Sequence, residues 1–290
     1  MVRNGRQLKR YGAFTIVELL TVMSIIVILI GLLVPALNKV RIYAKEVRQN
    51  AQFHSMDAAI ELFNNAFEGY PESGALDPTG ESYCGAMKLC EAMMGQDLLG
   101  FHSNSVFRRD GMDAAGTRFL YDPDDLSARK GPFLPPESAD AFRMEKIYGS
   151  DVGPYLPETL VLCDVFTRKL PTGVKAGMPV LYYKADTRGR FHDEGLPMSP
   201  VDNAGNIYNF WDNQELVALG KPWAAGGAGS EGKKHVLENP ARFYKNTESD
   251  KVTTVRRPFR ADSYILISAG YDGEYGTADD ICNFEWKYRD

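Results

Sequence analysis

Residues 14–37 read FTIVELLTVMSIIVILIGLLVPAL. Of these 24 residues, sixteen are Leu, Ile, Val or Phe, and Glu18 is the one charged side chain. As a helix the stretch is roughly 36 Å long at 1.5 Å per residue, enough for a hydrocarbon core of about 30 Å. Its apolar side chains contribute on the order of −5 to −10 kcal/mol to insertion. An acid at the helix centre costs about 3 kcal/mol, and Glu18 lies nearer the end. Insertion wins. A buried soluble helix is seldom apolar all the way round. A cleaved secretory signal has an apolar core of about 7–15 residues and an A-x-A site, and none follows here. A plain signal anchor is the surviving rival.

Outward from this stretch, residues 1–13 carry Arg3, Arg6, Lys9 and Arg10 and no acid. Lys39, Arg41, Lys45 and Arg48 follow it, so the basic count alone does not fix orientation. The acid-free leader, set against the far side with Glu46, favours a cytoplasmic N-terminus. Helical periodicity continues through Val40, Ala44, Val47, Ala51, Ala58, Leu62 and Ala66. From Phe53 a second stripe joins it, Met56, Ile60, Phe63 and Phe67, as expected where a helix packs into a folded head. Gly69-Tyr70-Pro71 ends the pattern. Pro35 lacks a backbone N–H and kinks or locally opens a helix, which Gly31 would ease.

The order of basic leader, small residue, Phe14-Thr15-Ile16-Val17-Glu18-Leu19-Leu20 and apolar run resembles the prepilin signature of type IV pilins and type II secretion pseudopilins. The resemblance covers about residues 9–40 and, through Gly69-Tyr70-Pro71, extends weakly to residue 71. It implies cleavage by a membrane prepilin peptidase and methylation of the new amine. The family usually has Gly directly before the Phe, whereas here Ala13 stands between Gly12 and Phe14. Cleavage between Ala13 and Phe14 makes Glu18 the fifth mature residue and Pro35 the twenty-second, where many pilins have a kinking proline. An ionisable group in lipid is costly unless partnered. The freed Phe14 amine is the natural partner, and Glu18 of one subunit pairing with the amine of the next would set the register of a filament. Removing one member would strand the other charge.

Beyond residue 71 the reading thins. A short helix is expected over Ala86–Leu99, loop over Asp110–Glu137, and strand-like runs at Met178–Lys184 and Asn206–Trp211. Asp262–Ser268 (DSYILIS) reads as a buried strand. Gly229-Ser230-Glu231-Gly232-Lys233 lacks the spacing of a phosphate loop. His54, His102, His192 and His235 are scattered, and no HExxH, GxSxG or GxGxxG occurs, so no enzyme activity is expected. The net charge of −5 gives no reason to expect nucleic acid. Cys84, Cys90, Cys163 and Cys282 form no CxxC pair. In an exported domain one or two disulfides are open to them, Cys84–Cys90 being the easiest to close; otherwise they are small buried hydrophobes.

After the last strand the chain reads AGYDGEYGTADDI over residues 269–281. Carboxylates along a glycine-rich loop suit a hard cation such as calcium, which wants six to eight oxygens. An EF-hand does not fit, because counting from Asp272 puts Thr277 where its Gly belongs and Asn283 where its Glu belongs. The segment does resemble the calcium loop of the major type II pseudopilin. That resemblance assigns carboxylates to Asp272 and to Asp279, Asp280 or both, and backbone oxygen to Ser268 or a neighbour. The competing reading is a solvated acidic turn.

The expected fold is α+β: a leader (1–13), a transmembrane and filament-core helix (14–37), its amphipathic continuation (38–70), and a head (71–290) on a mainly antiparallel sheet, with an insertion around 72–160. The expected role is a pseudopilin-like subunit with prepilin peptidase and other pilin-like subunits as partners. It would be stored single-pass in the bacterial inner membrane, head in the periplasm, before joining a filament. A mature chain of 277 residues is long for a major subunit and suits a minor or tip one. A surface type IV pilin for adhesion or DNA uptake, and an anchored domain that never polymerises, are the rivals.

Overall fold

A computed structural model describes residues 15–136, 139–226, 230–285 and 288. The chain divides into two units, the first ending at Ala44 and the second beginning at Lys45. Helix α1 spans Ile16–Phe67 and is assigned without a break across Pro35. Its side chains up to residue 37 stand exposed, and the helix is long and apolar enough to cross a membrane.

Within the second unit, α1 buries Gln49, Gln52, Phe53, Met56, Ala59, Ile60 and Phe63. The stripe that opens at Phe53 thus enters the core. The other stripe stays outside: Val47 is 52% exposed and Leu62 54%, with Ala51 and Ala58 exposed between them. Asp57 receives the Tyr264 hydroxyl at 2.7 Å and the Asn283 amide at 3.1 Å. Gln49 accepts from the Val165 N–H at 3.0 Å, and Gln52 donates to the Cys163 carbonyl at 3.0 Å. Glu68 closes the helix in a left-handed conformation (φ 57°), one residue before the expected Gly69.

The remaining elements are short. Helix α2 (Gly85–Met94) is followed by β1 (Phe101–His102), β2 (Arg129–Lys130), β3 (Ala141–Arg143), α3 (Met144–Tyr148) and β4 (Leu160–Leu162). Then come β5 (Arg168–Lys169), β6 (Lys175–Ala176), β7 (Leu181–Lys184), α4 (Gln214–Ala218), α5 (Pro240–Thr247), β8 (Tyr264–Ser268) and β9 (Ile281–Cys282). All named pairings are antiparallel: β1 with β2, β3 with β4, β5 with β6, and the three-stranded order β7-β8-β9. The fold is α+β, with small sheets where one larger sheet was expected. Strand β8 lies central and fully buried, Ile267 facing Leu181 on one side and Cys282 on the other.

Three local expectations change. Helix α2 stops at Met94 because Gly95 takes φ 78° and Leu98 φ 68°, so the helix cannot reach Leu99. Asn206–Trp211 is not a strand; the Asn209 side chain accepts from the Trp211 N–H and starts a 3₁₀ turn over Phe210–Asn213. The four cysteines are free and buried. Cys84 and Cys90 lie along α2, where six residues separate them by roughly 9 Å of helix rise, beyond the span of a disulfide.

The long irregular stretch between α2 and β3 is organised by one buried side chain. Glu91, 1% exposed, accepts from the hydroxyls of Tyr83 (2.6 Å), Tyr121 (2.6 Å) and Ser105 (2.5 Å) and from the Gln96 amide (3.0 Å). A bidentate pair between Arg129 and Asp97, 2.9 Å on each arm, fastens the far side, with Arg129 stacked over Tyr121.

Candidate functional site

Ala13 and Phe14, the expected cleavage pair, lie outside the described residues. The structure begins at Thr15, and there it gives Glu18 a local partner. The Glu18 carboxylate accepts from the Thr15 N–H at 2.9 Å and the Thr15 hydroxyl at 2.7 Å, while the Glu18 N–H donates to the Thr15 hydroxyl at 3.2 Å. This is a reciprocal capping box, in which two otherwise orphaned donors at the helix start are satisfied. The signal is present in the sequence as Thr15-x-x-Glu18 ahead of an apolar run. Pro35 sits inside α1, and with no N–H to give it leaves the Gly31 carbonyl without its helical donor.

The C-terminal loop lies in the second unit, between β8 and β9. Its carboxylates turn inward onto backbone donors. Asp272 accepts from the Glu274 N–H (2.7 Å), Asp279 from the Asp272 N–H (2.9 Å), and the buried Asp280 from the Gly276 N–H (2.7 Å). Burial and the neighbouring Asp279 carboxylate push Asp272 up to about 6, and burial pushes Asp280 well above the usual carboxylate range. Like charges are therefore held close here. Ser268 is fully buried, and its hydroxyl donates to Asp164 at 2.9 Å. Burial pushes Asp164 up to about 7, against N–H groups of Phe166 and Met178 that favour its ionised form.

Three side chains from distant positions clamp the loop. Arg168 stacks on Trp223 at 3.7 Å and donates to the Tyr271 carbonyl at 2.9 Å. Lys221 pairs with Glu274 at 2.6 Å. His235, its pKa lowered by burial to about 3, accepts the Tyr275 N–H at 3.2 Å, and the Tyr275 hydroxyl donates to the Pro179 carbonyl. No local motif marks Asp164, Arg168, Lys221 or His235, because their partners lie 40 to about 100 residues away in sequence.

The structure thus brings Asp272 and Asp279 together and sends the Ser268 side chain elsewhere. Among the described residues no three Asp, Glu, His or Cys side chains converge as a ready-made metal cage. A cation here would be held by Asp272 and Asp279 with loop carbonyls completing its shell. No protein-family model, characterised protein or solved structure matches the chain.

Proposed function

We propose that the chain is a structural subunit of a type II secretion pseudopilus, a pseudopilin-like protein and not an enzyme. The observation carrying this reading is the exposed apolar first half of α1 with a single acid, Glu18, one turn from its start. Such a surface needs lipid or other helices around it. In this reading the peptidase cuts between Ala13 and Phe14 and the chain waits in the inner membrane. The helix then leaves the bilayer for a bundle of like helices, in which Glu18 meets the methylated Phe14 amine of the next subunit. Within the second unit the stripe of Val47, Ala51, Ala58 and Leu62 is also exposed and offers a surface for packing.

The capping box favours a second reading, in which Glu18 only starts the helix of an anchored periplasmic domain. A type IV pilus subunit used for adhesion or DNA uptake is the variant within the filament class. Glu18→Gln separates cap from charge, because Gln at this position keeps the box and loses the ionic partner. As a filament subunit the Gln variant should be inserted, processed and unable to assemble, as Glu18→Ala should be. Wild-type levels of sheared filaments from Glu18→Gln, with loss only in Glu18→Ala, would leave the cap as the sole role.

Calcium between Asp272 and Asp279 is the cofactor in this reading, holding the loop closed. The raised pKa means that the folded state keeps a proton the unfolded chain loses between roughly pH 4 and 6, so this pair subtracts stability as pH rises through that window. A divalent cation removes the repulsion only above it. Calcium should therefore raise Tm more at about pH 7.5 than at about pH 5, against a chelator control. A midpoint indifferent to calcium at both values removes the ion from the proposal.

A further inference from the structure

The second unit opens with a cluster of basic side chains, in a chain whose net charge is −5. Lys45 and Arg48 stand one turn apart on α1. The Lys45 ammonium lies 5.8 Å over the ring of Phe166, just ahead of β5. Strands β5 and β6 then set Lys169 directly opposite Lys175, both exposed, so two more ammonium groups share one face of the hairpin. Like charges in that register weaken a strand pair. Acids do little to offset them. Among the described residues Lys45, Lys169 and Lys175 form no ion pair, Glu46 joins none, and the exposed Arg48 reaches Asp140 only at 3.8 Å. Asp164 is fully buried and turned to Ser268 and to the N–H groups of Phe166 and Met178.

Burial, and then the positive charges of Lys175, Arg168 and Arg48, hold the Lys45 amine below the usual lysine range, against the pull of Asp164. Lys175 and Arg48 are therefore near enough to act on Lys45. Arg168 is committed elsewhere, to Trp223 and the Tyr271 carbonyl. Three of the other four cations are lysines. A lysine is a compact charge on a flexible stem, suited to phosphates that move, whereas fixed carboxylates favour the planar fork of arginine. Position in the chain adds an independent observation. Lys45 follows Leu37, where the apolar stretch ends, by eight residues, a tether of at most about 29 Å even fully extended. A charged face held that close to a bilayer meets its headgroups at high effective concentration, and anionic headgroups attract lysines placed there.

We infer that the face carrying Lys45, Arg48, Lys169 and Lys175 binds the phosphates of anionic phospholipids at the surface of the membrane that holds the apolar stretch. The inference rests on the reading of residues 14–37 as membrane-inserted. Anionic lipid supplies the counter-charge that the Lys169–Lys175 pair lacks within the chain.

The test places the full chain in nanodiscs of phosphatidylcholine, alone or with about one-third phosphatidylglycerol, and acetylates its lysines in a brief pulse read residue by residue by mass spectrometry. Lys169 and Lys175 should react about threefold to tenfold more slowly in the anionic discs, a difference that high salt removes. Lys251, exposed and outside the patch, should not change. Lys169→Gln/Lys175→Gln relieves the like-charge pair and should return Lys45 to its rate in neutral discs. Equal rates in the two discs, or protection of Lys251 to the same degree, would overturn the inference while leaving insertion intact. Protection by polyglutamate in neutral discs as strong as that by phosphatidylglycerol would overturn it in favour of an acidic protein partner. A chain that does not enter neutral discs at all would overturn both this inference and the membrane reading beneath it.

Discussion

Glu91→Ala is expected to cost the second unit about 4 kcal/mol or more, a large part of the roughly 5–15 kcal/mol that holds a domain folded. The variant leaves the buried hydroxyls of Tyr83 and Tyr121 without their common acceptor and frees the half-buried Ser105 hydroxyl, while the Gln96 amide keeps its bond to the Arg108 carbonyl at 2.8 Å. Each stranded buried donor costs about 1–3 kcal/mol, and the vacated volume adds a cavity cost. The damage should concentrate in residues 96–134, which have little regular structure to hold them once the hub is gone. Limited proteolysis should cut first in that stretch, and chemical denaturation should give the size of the loss. Glu91→Gln keeps volume and one acceptor oxygen and should lose less. A Glu91→Ala chain that melts with the wild type would show that the four donors find other partners and that Glu91 is not the organiser.

Gly270→Ala should be the most damaging single methyl group in the candidate loop. Gly270 has φ 63°, a conformation that costs a residue with a Cβ about 1 kcal/mol, and the added carbon would overlap the Asp279 backbone carbonyl. Backbone on both sides cannot yield as a side-chain tip could, so a total of about 3 kcal/mol is expected. Displacing Asp279 also separates it from the Asp272 N–H. The variant should therefore lose any calcium-dependent rise in Tm together with its stability. Gly232→Ala is the matched control, because the nearest atom to its new carbon is the Ala225 carbonyl oxygen at 3.9 Å. Equal melting of the two variants would mean that the loop is not closed through Gly270.

Local physics made the long helix Ile16–Phe67 readable. An apolar run held over many turns leaves no other secondary structure, and alternating stripes from Phe53 onward identify the side that enters a core. The buried strand Tyr264–Ser268 was legible for the same reason, being short, β-branched-rich and bounded by turn residues. Even the helix start was written plainly, as Thr15-x-x-Glu18. What periodicity cannot say is which of two apolar stripes goes inside. Only the second unit's packing settles that Phe53, Met56 and Ile60 are covered while Val47 and Leu62 are not.

The candidate loop divides in the same way. The sequence by itself determined that acids and glycines follow the last long strand in an order that suits a closed loop. Tertiary structure decided which acids meet, by setting Asp279 on the Asp272 N–H and turning Asp280 into the core. It also decided what surrounds them, by bringing Arg168, Lys221 and His235 to the loop from far along the chain. Glu91 is the extreme case: one carboxyl gathers Tyr83, Gln96, Ser105 and Tyr121, residues that share no period and no motif. Helices and strands are fixed by neighbours a few residues away and so leave a trace in the sequence. A buried hub is fixed by desolvation, which forces whatever donors the fold brings near to point at the same acceptor.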